Sequence, residues 1–356
     1  MTEYENMSER TKRFYYIDLL KALAMFFVLS YHSTFYDFDI IKNSSVLTYL
    51  RYFCSTVVAT SIPMFFFSNG YLLFSKELDL KKHYKKTIRF MILTFIWSVM
   101  TLAIMMPIKG EWLSRSEFLR GILDLKQDWN NHLWFMYVLV AIYVIFPLLK
   151  LVHDKKQIIF HVIVIIYGAF IALLVLLNAI ATFTPHFRSL NLPKFAFDAT
   201  FSGLYFWIGG FVYDYRNKFV SIPLAIRNKY AVISLIVSEC LLGIFGVAYS
   251  KANGEMWDVV FNSFNIIMTL ISVLAIFALA LNYQRNNKII NLISINTLGI
   301  YFIHMPIIRL VKPWIISHPY PETMWFTGLF ALVLMFVCIG LVTIIKKIPV
   351  IKNLVM

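Results

Sequence analysis

The sequence predicts an all-α, polytopic transmembrane helix bundle, and three observations predict it. Of 356 residues, 60% are hydrophobic and only 15% charged, where a soluble domain carries roughly 25% charge. Mean hydropathy is +0.70. The apolar residues also gather into runs of about 20, the length that crosses a hydrocarbon core. Aromatics reach 17%, with 33 Phe and 20 Tyr, as lipid-facing packing and interfacial belts require.

Ten runs have the length of a span. They lie near 14–36, 52–74, 88–107, 133–151, 158–181, 199–214, 230–250, 259–281, 291–311 and 324–345. The sixth is short and holds Gly203, Gly209 and Gly210; the ninth carries Asn296, His304 and Pro306. Counting Lys and Arg in the alternate connecting segments gives 21 of the 33 on the side of both termini, 11 on the other, and Lys21 within a span. That excess places both ends in the cytoplasm, and an odd number of spans would put the C-terminal lysines outside. The expected organisation is a cytoplasmic tail at 1–13, a single ten-helix membrane domain at 14–345, and a cytoplasmic tail at 346–356. The longest loop, about 108–132, is expected outside.

The net charge of +14 sits in short loops between apolar runs. Such placement speaks for topology and anionic headgroups and against nucleic-acid binding. Cys54, Cys240 and Cys338 all fall in apolar runs, which reads as small core residues and not as a disulfide framework. The first apolar run lacks a small-residue cleavage site, so no cleavable signal peptide is expected.

The first span carries the most informative pattern. Asp18, Lys21, Met25, Val28 and His32 follow i, i+3, i+4 spacing and share one face. Lys21 and His32 are eleven residues apart, so they differ by about 20° around the helix and by roughly 16 Å along it. Ionisable groups in a span are costly, ~2.5–3.5 kcal/mol for a central Lys, and are expected to face a bundle interior or a watery cavity. A plain alternative stays open: Lys21 snorkels to the inner headgroups with Asp18 as its i−3 partner, and His32 bonds a carbonyl at the outer interface. Glu239, midway along the seventh span, is a further intramembrane ionisable group with no motif around it.

Asp18, Lys21 and His32 in this frame resemble the first helix of the acyltransferase-3 family, bacterial multispanning O-acyltransferases that act on cell-surface glycans. The family signature, Arg or Lys followed after ten residues by His, is matched by Lys21-x10-His32. Pro63-Met64-Phe65-Phe66-Phe67-Ser68-Asn69-Gly70-Tyr71-Leu72-Leu73 is similar to the family's Phe-Phe-x-x-Ser-Gly-Tyr-Leu segment, with Asn69 where Ser is usual. His132-Leu133-Trp134-Phe135 resembles its His-Leu-Trp-Phe element. The run from Ser294 through Gly299, Tyr301 and His304 to Pro306 looks like its late Ser…Gly-x-Tyr-x-x-His-x-Pro segment. The four elements fall in the family's order over nearly the whole chain.

The resemblance implies an acyl-CoA donor from the cytosol, acetyl-CoA by family frequency, and an acceptor hydroxyl on a surface polysaccharide or lipid-linked saccharide. It implies a cell membrane enzyme whose conduit is lined by Lys21 and His32. His32 is the expected general base, because an imidazole titrates near operating pH. Lys21 is the expected contact for the donor's phosphates, oriented by Asp18. His132 and Trp134 are candidates for acceptor contact, with an aromatic-belt role as the alternative for the tryptophan. Asn69 is a candidate oxyanion donor, against close helix packing at Gly70. His304 either serves the site or satisfies backbone polarity near Pro306.

No Walker-type loop, His-Glu-x-x-His, Gly-x-Ser-x-Gly or zinc-type Cys/His spacing occurs. No metal and no tightly held cofactor is therefore expected beyond the acyl-CoA donor. The rival reading is a glycan exporter or flippase without acyl-transfer chemistry, although no two matching halves with paired helix breaks are evident.

Overall fold

A computed structural model describes residues 13–184, 200–349 and 351–355. Among those residues every regular element is helical. In chain order the α-helices are α1 (Tyr15–His32), α2 (Val46–Ser55), α3 (Ser61–Phe74), α4 (Leu80–Lys109), α5 (Arg115–Asp124), α6 (Trp134–Lys155), α7 (Gln157–Phe183), α8 (Thr200–Asp214), α9 (Arg216–Ser221), α10 (Leu224–Asn253), α11 (Val259–Asn262), α12 (Ile267–Ala280), α13 (Lys288–Ile316) and α14 (Met324–Lys347). Each of the ten predicted segments falls largely on helix, the second and the eighth on more than one helical piece. Among the described residues, seven continuous helical stretches are long and apolar enough to cross a membrane: Val46–Phe74, Leu80–Lys109, Asn131–Lys155, Gln157–Phe183, Leu224–Asn253, Lys288–Ile316 and Met324–Lys347. The chain is a multi-pass membrane protein. Helices α1, α8 and α12, of 18, 15 and 14 residues, are the shorter ones.

Two predicted spans end differently from expectation. The first was expected to run to 36, but α1 stops at His32. There the Ser33 hydroxyl donates to the Leu29 carbonyl and the Thr34 hydroxyl to the Tyr31 carbonyl, so side chains close the last turn. The eighth was expected over 259–281. Asp258 instead caps the four-residue α11, and the chain turns at Ser263, whose carbonyl accepts from Ile266 N–H and the Thr269 hydroxyl, before α12 begins. Of the lysines and arginines counted for topology, Arg10, Lys12, Arg188 and Lys194 lie outside the described residues.

The second span is one helical stretch with a changed pitch. Between α2 and α3 residues Thr56–Thr60 form a 3-10 turn. The Ser55, Thr56 and Thr60 hydroxyls each donate back to a carbonyl of the preceding turn, Arg51, Phe53 and Val57 respectively. Such back-bonding competes with the regular ladder and bends helices. Pro63 sits in the first turn of α3, where its missing N–H has no helical acceptor to lose.

The chain forms two compact units. The first comprises 13–27, Asp37–Glu77 and the described part of Lys156–Ser294; the second comprises Val28–Tyr36, Leu78–Lys155 and the described part of 295–355. Helices α1 and α13 each run through both. In the first unit α3 and α8 pack most closely. A Cβ on Gly70 would run into the Phe206 carbonyl, and one on Gly209 into the Phe67 carbonyl. Glycine is required here because backbone meets backbone. In the second unit the Trp97 indole N–H donates to the Leu354 carbonyl at 2.8 Å, and its ring stacks on Phe302. The C-terminal residues are thereby held, with Val355 buried.

Apolar side chains cover the outside. On α7, Ile158, Ile165, Ile166, Leu173 and Leu176 are exposed, whereas Phe160, Val164 and Ile171 on the other face are buried. A continuous exposed apolar face of this kind is a surface for lipid tails, not water. Away from the spans, α5 starts with a capping box. The Ser114 hydroxyl accepts from the Glu117 N–H, while the Glu117 carboxylate accepts from the Ser114 N–H at 2.8 Å and its hydroxyl at 2.7 Å. Those bonds from Ser114 hold the Glu117 carboxyl below its ordinary value of 4.5.

Two predictions follow from this packing and capping. Gly70→Ala should destabilise the protein by about 1–3 kcal/mol through overpacking against Phe206, although Gly→Ala in an open helix stabilises. Thermal unfolding in detergent measures it, and an unchanged or raised Tm would contradict the close approach. Because the Glu117 value is depressed in the folded state, its contribution is present above the ordinary carboxylate value. It is lost as pH falls through the depressed one. Protection of the α5 amides against deuterium exchange, corrected for intrinsic rate, should stay level down to the ordinary carboxylate range and fall below it. In Glu117→Gln that acid-side fall should vanish.

Candidate active site

The polar stripe of α1 faces protein. Asp18, Met25 and Val28 are buried, and Lys21 and His32 are half-buried. Burial of Met25 and Val28 is what an inward-facing stripe requires, since a lipid-facing one would expose them.

In the first unit Asp18 and Lys21 meet at one residue. The Ser294 hydroxyl donates to Asp18 Oδ1, and Lys21 Nζ donates to the Ser294 carbonyl at 2.8 Å. Arg13 Nε donates to Asp18 Oδ2 at 2.6 Å. The i−3 ion pair considered from the sequence is thus replaced. The carboxylate takes Arg13 and a serine hydroxyl, and the ammonium takes a backbone carbonyl. An ammonium has three N–H donors and Lys21 commits one of them to Ser294. Among the described residues, no carboxylate bonds it directly.

Asn69 also belongs to the first unit. Its side-chain amide donates to the Phe65 carbonyl at 2.8 Å, one turn back on α3. Gly70 beside it makes the close contact with Phe206 already described.

In the second unit three histidines come together from three helical segments. His32 ends α1, His132 lies in the 3-10 turn Asn131–Leu133 that leads into α6, and His304 is in α13. The His304 ring centroid is 5.4 Å from that of His32 and 5.5 Å from that of His132. His304 is fully buried and His132 is 5% exposed. His304 Nδ1 lies 2.5 Å from the Tyr301 carbonyl. A carbonyl only accepts, so Nδ1 carries the proton and the neutral ring presents a lone pair at Nε2. Among the described residues, that Nε2 has no partner, and neither ring nitrogen of His132 has one. The Tyr301 hydroxyl donates to the His132 carbonyl, tying α13 to the turn.

Pro306 frees the Phe302 carbonyl by removing its helical donor. His304 bonds Tyr301 instead, so it does not serve the carbonyl that the proline frees. Trp134, at the start of α6, is half-exposed.

Two groups that sequence reasoning missed lie further along α13. Arg309 Nη2 reaches Asp128 at 3.2 Å, and Lys312 Nζ donates to the Thr34 carbonyl at 2.8 Å. Both were counted only as topology charges, and no local spacing singles them out, since Arg309 lies about 140° around the helix from His304. Ser294 was part of a motif, but its bonds to both Asp18 and Lys21 depend on tertiary structure.

Among the described residues, no three His, Cys, Asp or Glu side chains converge as a metal site. The rings of the histidine cluster approach edge and face, with one nitrogen of His304 already spent on backbone. Such an arrangement can hold and move a proton.

The acyltransferase-3 family profile, described as an acyltransferase domain, matches residues 14–345. No curated protein and no solved structure shows a significant match to the chain. With essentially its whole length matched, the chain belongs to the acyltransferase-3 family.

Proposed function

We propose that the protein is an O-acyltransferase that moves an acyl group, acetyl in the simplest case, from cytosolic acyl-CoA to a hydroxyl of a cell-surface or lipid-linked polysaccharide. In this reading the chain crosses the cell membrane ten times with both termini cytoplasmic, as the Lys and Arg asymmetry supports. The observation that carries the chemistry is the half-buried His32 imidazole beside the buried His304, 5.4 Å between ring centres.

His32 acts as general base. It takes the proton of the acceptor hydroxyl as that oxygen attacks the thioester carbon. The new C–O bond forms, the C–S bond breaks, and the sulfur leaves as coenzyme A thiol once protonated. His304, with Nδ1–H fixed on Tyr301, offers the His32 region an oriented lone pair and is an accessory group. His132, buried with both ring nitrogens unpartnered, gains hydrogen bonds from an incoming sugar hydroxyl. Trp134 supplies an apolar face for the acceptor. Lys21, roughly 16 Å from His32 along the same helix, meets the donor's phosphates as a point charge. Asp18 positions it through Ser294.

His32→Ala and His32→Gln should retain expression and lower transfer by about 10²–10⁴-fold, the usual contribution of a general base. Ester content of surface glycans, measured by mass spectrometry in cells carrying wild type or variant, reads this out. Parent-level esters in His32→Ala would end the mechanism. Lys21→Ala should raise the donor KM by about tenfold, some 1.4 kcal/mol of lost binding, with a smaller change in kcat. Unchanged donor kinetics would remove the phosphate role. Purified wild-type protein should turn over acyl-CoA in detergent, which an exporter without acyl chemistry does not do.

A further inference from the structure

Helix α5 runs back alongside the end of α4 and not away from it. Gly121 faces Leu102, and the Ser98 hydroxyl donates to the Ile122 carbonyl at 2.9 Å. Ser98 lies eleven residues before Lys109, so α5 ends about 16 Å back along α4. The Asn130 amide donates to Ser98 Oγ at 2.8 Å and to the Gly121 carbonyl at 2.9 Å. Those two bonds hold the turn that carries His132 at the same level. Counted along α4, that level falls within the hydrocarbon. Lys81, Lys82, Lys85, Lys86 and Arg89 crowd the first turns of α4, whereas residues 90–108 carry no ionisable side chain. At 1.5 Å per residue this apolar part measures about 28 Å, close to the thickness of a hydrocarbon core, and Ser98 lies well inside it.

The faces of α5 fit that depth. Phe118 and Ile122 pack with Leu102, Met105 and Trp129 in a small core. Leu119 and Leu123, one turn apart, are 65% and 74% exposed. Arg120 and Asp124, 81% and 68% exposed and paired at 3.1 Å, form a second row about 100° further round the helix. The polar row continues beyond the helix. The Asn131 amide donates to the Gln127 side-chain oxygen at 3.0 Å, and Arg309 donates to Asp128 at 3.2 Å. All these residues belong to the second unit. Exposed apolar side chains continuous with a membrane span take lipid tails. Exposed charged side chains at the same depth are costly in hydrocarbon and require water.

We propose that α5 is a re-entrant helix of the outer leaflet, in the orientation given above. Its Leu119–Leu123 row rests on lipid tails, and its Arg120–Asp124 row walls a water-filled notch that ends at the turn of His132. The side-chain pairs of Gln127 with Asn131 and of Asp128 with Arg309 form the floor of the notch. If the acyl-transfer reading holds, on which this one clause rests, the notch is the route by which the acceptor saccharide reaches the histidines from outside.

Two readouts use the wild-type protein in phosphatidylcholine vesicles, with peptide mass spectrometry. Photolysis of phosphatidylcholine bearing a diazirine in its acyl chain should label Leu119 and Leu123, as it labels the exposed Ile92 and Phe95 of α4. A water-soluble carbodiimide with glycine ethyl ester should amidate Asp124 and Asp128. Unlabelled leucines would place α5 above the membrane or under a protein cover and overturn the proposal. Labelled leucines with unmodified aspartates would remove the water and overturn it equally. The opening to the outside is read in intact cells, where Gln127→Cys and Asn131→Cys should each take up a membrane-impermeant maleimide at the introduced thiol. Absence of that adduct from both variants, with the protein present in the membrane, would close the notch. None of these readouts involves acyl transfer, so a failure of the acyl-transfer reading leaves them unchanged, and their failure leaves that reading standing.

Discussion

A polar group in hydrocarbon must find its partner inside the protein, and this constraint organises the molecule. The Ser294 contact shows it at its most economical. One residue gives its hydroxyl to Asp18 and its carbonyl to Lys21, so a carboxylate and an ammonium on α1 are both answered by α13. The same requirement explains the hydroxyls bonded back to their own helices at Ser33, Ser55, Thr56 and Thr60. Exceptions then carry meaning. Among the described residues, hydroxyls such as those of Ser68, Thr101 and Ser202 are buried without protein partners, and so are the ring nitrogens of His132 and Nε2 of His304, which can in addition bind or release a proton.

The three histidines show how chemistry is assembled from distant parts of one chain. The Tyr301 hydroxyl bonds the His132 carbonyl across 169 residues of sequence, and the Tyr301 carbonyl bonds His304. One tyrosine thus fixes the position of one histidine's backbone and the tautomer of another. Phe135, whose ring lies 5.3 Å from that of Tyr301, fills the space beside it. An acyl-transfer site needs this kind of restraint, since a general base works only within hydrogen-bond reach of its proton.

Much of the architecture was legible in the sequence because the bilayer imposes a simple length and polarity rule. All ten apolar runs correspond to helices, and the face of α1 bearing Lys21 and His32 turns inward as its spacing predicts. What escaped was decided by side-chain bonding. Ser33 and Thr34 end α1 early, Ser263 divides the eighth run, and three hydroxyls change the pitch of the second. These residues are neutral in a hydropathy count, so the count passes over them. The Asp18–Lys21 pair was one open alternative from i, i+3 proximity, and Arg13 and Ser294 bond the two groups instead. The company His132 keeps was illegible for a different reason, since no local pattern says which distant helix will lie against it.

The α3–α8 joint has a mechanical consequence. Where Gly70 meets Phe206 and Gly209 meets Phe67, main chain bears on main chain with no side-chain cushion between. Side chains accommodate displacement by changing rotamer, and a peptide plane has no such freedom. These two rods therefore travel as one stiff strut within their unit. Any breathing of that unit must be absorbed at seams that still have rotatable atoms to yield.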